Sequence, residues 1–213
     1  MITIPTGELT GVLADCVPFV FPDEDIPDIN CVRVAWDGHM LHALATDRYR
    51  IAWSQWHPDD DTPGEEIQDD LFTQWGGADD AWRTTVALAD AKQLVSVFKL
   101  GPKEARCPLT VDYDAANDRL KVSRSRDTGH SAITVVAQGS GAEFPDLPAM
   151  LAKHDGATAT RTVAYTAKFM ADFAKVRPRA PMELTFTDAL THVAIGKRFS
   201  GAIMPVRLAD DAN

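Results

Sequence analysis

The densest group of side chains able to do chemistry is Asp59-Asp60-Asp61, at the head of a run, His57–Asp80, that also holds Glu65, Glu66, Asp69, Asp70, Asp79 and Asp80 and contains no Lys or Arg. Such carboxylates could hold a divalent cation, but their spacing fits no calcium loop. With Pro58, Pro63, Gly64, Gly76 and Gly77 among them, the run reads as a solvated connector. It carries nine of the ten excess negative charges of a chain whose net charge is −10. Six histidines are scattered, and His39 and His42 alone are close, on opposite faces of a turn-linked strand pair, which is poor ligand geometry. Cys16, Cys31 and Cys107 are odd in number, widely spaced and set in apolar surroundings, so reduced, buried thiols are expected. No glycine-rich phosphate loop, nucleophile elbow, H-E-x-x-H or paired C-x-x-C is present. No catalytic residue, metal or cofactor is therefore expected.

The elements that would have to position any site form a repeat. A short β-type run, a compact amphipathic helix and three more β-type runs recur from Met1, Arg83 and Arg161. The first unit predicts strands at Met1–Ile4, Cys31–Trp36, Met40–Thr46 and Tyr49–Trp56, with a helix from a Thr6 cap carrying Leu9, Val12, Leu13 and Cys16 inward. The second predicts strands at Thr84–Leu88, Leu109–Tyr113, Arg119–Ser123 and Ala132–Gln138, with Leu94, Val97 and Phe98 on its helix. The third predicts strands at Thr162–Tyr165, Met182–Phe186, Thr191–Ile195 and Ala202–Val206, and a helix capped by Thr166. Helices follow from apolar spacings of three and four, strands from alternation and β-branched content. No unit can bury both faces of its own sheet. The expected class is α+β, with the units side by side and the helices on one face of curved antiparallel sheets.

With 213 residues and 45% hydrophobic content the chain can build one or two cores. No apolar run reaches the roughly 18 residues of a membrane span, and the N-terminus lacks a signal-peptide pattern, so a cytoplasmic protein with no membrane partner is expected.

Three segments are more specific than composition. LHALATDRYRI (Leu41–Ile51) puts a Thr-Asp turn after an apolar strand, EFPDLPAML (Glu143–Leu151) closes the second unit, and AIMPVRL (Ala202–Leu208) closes the third. In this order they resemble the DNA polymerase sliding clamp of the bacterial β-subunit type, with its ATDGHRL-like turn, FPD linker and VMPMRL-like terminal strand. The resemblance covers nearly the whole chain, with the acidic connector 57–80 as its main insertion. It implies a DNA-clamp fold: residues 1–150 as a complete clamp domain of two repeats, and 151–213 as a third repeat, half of another domain, in a compact, phage-like version.

The resemblance also implies a function. Sliding clamps are non-enzymatic rings whose helices line a channel around duplex DNA, and a hydrophobic cleft on them captures short peptides of the polymerase and clamp loader. The positions matching that cleft are Thr46, Arg48, Tyr49, Arg50, Ile51, Pro145, Met204, Pro205 and Val206. Arg48 stands where the motif has Gly. Lys92, Lys99, Lys103, Lys168, Lys175, Arg177 and Arg179 on the second and third helices could face phosphates without reading sequence, while the first helix has no basic residue. Rings of this family hold twelve repeats, so three per chain imply a tetramer first, and a trimer next if the connector hides a fourth repeat. The competing reading is a clamp-shaped adaptor that acts through its peptide cleft and never encircles DNA.

Overall fold

The computed structural model describes residues 1–58, 76–77, 81–99, 107–125, 132–153, 163–177, 180–187 and 189–206. Lys103, Arg161, Arg179 and most of the acidic connector lie outside them. In chain order the first unit comprises β1 (Ile2–Pro5), α1 (Thr6–Cys16), β2 (Cys31–Trp36), β3 (Leu41–Thr46) and β4 (Arg50–Trp56). After a two-residue β5 (Gly76–Gly77), the second comprises β6 (Trp82–Ala87), α2 (Leu88–Val97), β7 (Pro108–Asp114), β8 (Arg119–Ser125) and β9 (Ala132–Gln138). A short α3 (Leu147–Ala152) precedes the third unit, α4 (Ala167–Phe173), β10 (Met182–Phe186), β11 (Thr191–Ile195) and β12 (Phe199–Ile203).

The units do not simply stand side by side, because the first two exchange their leading strands. β1 runs antiparallel to β7 (Ile2 opposite Val111), and β6 runs antiparallel to β2 (Val86 opposite Val32). Both strands pass into their helices without a loop, β1 at Pro5–Thr6 and β6 at Ala87–Leu88. The results are a five-stranded sheet, β5-β1-β7-β8-β9, and a seven-stranded sheet, β10-β11-β12-β4-β3-β2-β6. The third unit joins the first through β12 and β4, Gly201 lying opposite Ala52. Its predicted leading strand is reduced, among the described residues, to a bridge between Ala164 and Val206.

One core lies between the sheets and α1 and α2. It holds Ile2 and Ile4 of β1, Leu9 and Leu13 of α1, Leu94 of α2 and the inward residues Val32, Val34, Ala43, Ala52 and Phe199 of the large sheet. A smaller core forms on the other face of that sheet, where Leu44, Ile51 and Ala202 meet Phe144, just before α3, and Leu147 and Leu151 of α3 itself. Between the two cores β3 is buried at every position but His42, while β4 alternates buried and half-buried residues towards its end.

Of the two predicted caps, Thr6 does not take the cap position and Thr166 does. The Thr6 hydroxyl donates to the Cys107 carbonyl (2.7 Å) and Pro5 occupies the cap position, while Thr166 caps α4 by position without a side-chain hydrogen bond. Neither α3 nor a 3-10 turn at Val17–Phe19 was expected from the sequence. Cys16 and Cys31 are buried free thiols as expected, with Cys31 pushed up to about 11 mainly by burial, but Cys107 is only half-buried. No helix among the described residues is long and apolar enough to cross a membrane.

Candidate functional site

The β3–β4 turn is built by its own side chains. The Asp47 carboxylate accepts from the amides of Tyr49 (3.1 Å) and Arg50 (2.9 Å), and the Thr46 hydroxyl donates to the Arg50 carbonyl (2.7 Å). This Asx-type turn holds Arg48 at φ 77°, the left-handed region that costs an ordinary residue about 1–2 kcal/mol and that glycine occupies freely. The Arg48 guanidinium lies over the Phe21 ring, 5.5 Å from its centroid.

Arg50 is buried and ties the turn to two other segments. Its Nε and Nη2 donate to Asp47 (3.0 and 2.6 Å), Nη2 also donates to the Pro18 carbonyl (3.1 Å), and Nη1 pairs with Asp172 on α4. Rings lie about it too, Phe19 at 4.9 Å and Phe169 at 4.6 Å. The Asp172 carboxyl is pushed up by burial but held below its usual value by Lys175 and Arg50. Tyr49, 56% exposed, stacks on Phe169, and its carbonyl accepts from the Met204 amide (3.0 Å) beyond the end of β12.

The third wall comes from the segment after β9. Arg33 of β2 donates to the Phe144 carbonyl (3.0 Å) and covers the Phe144 ring, which anchors the segment to the sheet. Asp146 then caps α3 by accepting from the Ala149 amide (3.1 Å). Between these walls lies an open, almost wholly apolar cleft of about 220 Å³. Thr46, Arg48, Tyr49, Arg50, Ile51, Pro145 and Met204 all line it; Pro205 and Val206 run on past it, Val206 donating its amide to Ala164. Ile29, Leu147, Met150, Leu190 and Ala202 complete the lining and were not singled out from the sequence. Met150 in particular could have been found only by seeing that the residues after FPD form a helix. Tyr49, Met150 and Met204 are among the few large apolar side chains left exposed, and they gather here. Grouped exposure of large apolar side chains is uncommon on a folded surface, and the methionines among them are flexible.

Of the basic residues singled out, Lys92 and Lys99 are exposed on and just beyond α2, opposite its buried Ala91 and Leu94. Lys168, Lys175 and Arg177 are exposed on or just after α4, Lys175 paired with Asp172. No group of three or more His, Cys, Asp or Glu that could hold a metal occurs among the described residues.

No family model matches the sequence, and no curated protein matches it. Solved structures do. The chain superposes on the DNA polymerase III β subunit of Thermotoga maritima with a TM-score of 0.65 at 18% identity, covering 98% of this chain and 66% of that one. The Bacillus subtilis DNA polymerase sliding clamp gives 0.65 at 15% identity, with 97% and 64% covered. The Pseudomonas aeruginosa sliding clamp gives 0.70 at 10% identity, with 97% and 66% covered. The chain has the sliding-clamp fold. It spans just under two thirds of the length of the clamps it matches, and the exchange of leading strands is contained within the superposed region.

Proposed function

We propose that this clamp-fold chain is a non-enzymatic processivity factor that surrounds duplex DNA as a homo-oligomeric ring and tethers a DNA polymerase and clamp loader through the cleft between Tyr49, Pro145 and Met204. The observation that carries the reading is the cleft itself, in which three segments far apart in sequence converge on one open apolar surface. A core would have closed over such side chains, whereas a docking site keeps them accessible. The cleft's mechanism is capture of a short linear peptide: apolar side chains fill the floor over Ile51, Leu147 and Ala202, and the rigid Thr46–Arg50 turn holds one rim without reorganisation on binding.

The basic residues supply the second half of the reading. Lys92, Lys99, Lys168, Lys175 and Arg177 lie on exposed helix surfaces of an otherwise acidic protein, so phosphate contacts would be loose and independent of sequence while the remaining charge discourages sticking. Lys103 and Arg179 belong to the same proposal. Each end of the large sheet is an edge strand, β10 and β6, and the exposed Met182 and Phe186 on β10 favour covering that edge with another chain. A tetramer is the preferred closure and a trimer the next.

Retention on DNA tests the ring. The protein, with a loader extract and ATP, is incubated with nicked circular duplex and passed through a sizing column before and after linearisation. A ring stays on the circle and leaves the linear form. A protein that binds polymerase peptides but is never retained is the adaptor.

A further inference from the structure

On the other side of the segment that leads into and begins α3 lies a second concavity, a groove of about 600 Å³ lined by charged and apolar side chains together. The segment is shared: Pro145, Leu147 and Met150 face the apolar cleft, while Phe144, Asp146 and Pro148 face the groove. The groove floor is the outer face of the large sheet, carrying Arg33 on β2, Arg83 on β6, His42 on β3 and Trp53 on β4. In the β2–β6 register Arg33 faces Thr85 and Ala35 faces Arg83, so the two arginines are diagonal neighbours on one face, within reach of a common ligand.

The acidic groups of the groove are already committed, and the arginines are not. Asp37 accepts from His42 Nε2 (2.9 Å) and from the amides of His39 (2.8 Å) and Met40 (2.7 Å). Burial pushes its carboxyl up, but these donors outweigh burial and hold it at about 2. Trp53 Nε1 in turn donates to His42 Nδ1 (3.1 Å), and the Asp146 carboxylate caps α3. Among the described residues Arg33 spends one of its five donors, on the Phe144 carbonyl. Neither Arg33 nor Arg83 pairs with a carboxylate among the described residues, although the chain has ten excess negative charges. Burial, and next the neighbouring Arg83 charge, push Arg33 down from its ordinary value and outweigh the opposing pull of the Asp146 carboxylate, so the two cations lie close enough to feel one another.

We infer that the groove is an acidic-peptide subsite, in which Arg33 and Arg83 receive a carboxylate from residues flanking the apolar motif that fills the cleft. The inference rests on the proposed peptide role of the cleft. It follows from continuity, because one segment of chain separates the two concavities and an extended peptide, advancing about 3.3 Å per residue, crosses it in a few residues. Trp53, Phe144 and Pro148 offer the peptide stem an apolar wall beside the charges. Two cations beside two committed carboxylates suit a single Asp or Glu better than a dense polyanion.

A random dodecapeptide display library selected on the wild-type protein tests this, with a parallel selection on Arg83→Glu. Arg83 is exposed and its side chain holds no hydrogen bond or ion pair among the described residues, so the variant keeps the fold, checked by an unchanged melting temperature. Wild-type selection is expected to enrich an apolar block with Asp or Glu to one side of it, and Arg83→Glu to keep the block and lose the acids. For one selected peptide, fluorescence anisotropy should show the variant weakening binding about tenfold, and less than about twofold once the peptide's acids are changed to Asn or Gln. An apolar block without flanking acids, or equal loss for both peptides, overturns the subsite and leaves the cleft standing. No enriched peptide at all overturns both.

Discussion

Replacing Arg50 by Met removes a side chain that joins the β3–β4 turn, the Val17–Phe19 segment and α4. Met matches the stem in length and leaves the rings of Phe19 and Phe169 in contact with an apolar group, so the loss is chiefly that of the guanidinium. The wild-type residue donates four hydrogen bonds, to Asp47 twice, to Asp172 and to the Pro18 carbonyl. Breaking a buried pair by removing one partner costs about 3–5 kcal/mol, because a carboxylate stays buried without its cation. Here the lower end applies: Asp47 keeps two backbone amides and Asp172 keeps Lys175. About 3 kcal/mol corresponds to a fall in melting temperature of roughly 6–12 °C for a domain of this size. Urea denaturation and calorimetry measure it. Arg50→Lys should recover less than half, since an ammonium cannot hold Asp47 through a fork and reach Asp172 together. The double variant Arg50→Met with Asp172→Asn should be less damaged than the sum of the single changes, because the orphaned charge on α4 is gone. A loss below about 1 kcal/mol for Arg50→Met would refute the view that this ion network fastens the third unit to the first.

Other outcomes follow from the same geometry. Gly201→Ala places a Cβ 2.4 Å from the Ile51 carbonyl, so β12 must move off β4; we expect about 1–3 kcal/mol of destabilisation and weakened peptide binding in the cleft, measured by denaturation and anisotropy. Asp15 is buried, accepting from Ser54 and the Arg177 amide, and burial raises its pKa above the unfolded value, so its contribution to stability is full below about pH 4 and is lost as pH rises through the raised folded value. Asp15→Asn should therefore melt higher than the wild type at pH 7, with the gap narrowing in scans taken towards pH 4. Charge reversal at Lys168 and Lys175 should weaken DNA retention alike on all sequences and lower the salt slope by about 0.9 for each phosphate no longer neutralised; an unchanged slope assigns these residues to plain solvent exposure. Tyr49→Ala, at an exposed ring stacked on Phe169, should reduce peptide capture several-fold with a stability change within about 1 kcal/mol.

Local pattern by itself determined most of the elements, with the leading strand of the third unit, α3 and the Val17–Phe19 turn as exceptions. The spacing of Leu9, Val12, Leu13 and Cys16, or the alternation in Cys31–Trp36, depends on which face of one element is apolar, and that is written along a few consecutive residues. The Thr46–Arg50 turn was legible for the same reason, since its hydrogen bonds close within five residues. The three-segment resemblance marked most of the cleft lining, including Ile51, Pro145 and Met204. Tertiary structure alone decided the rest. Nothing local says that β1 pairs with β7 rather than with its own unit, because strand pairing depends on which edge is free once the helices have packed. The burial of Arg50 against Asp172, 122 residues away, and the convergence of Arg33 with Arg83 across a sheet register are likewise long-range facts. A charged residue in a strand looks solvent-facing in sequence. Its partners, or its lack of them, appear only when distant segments meet.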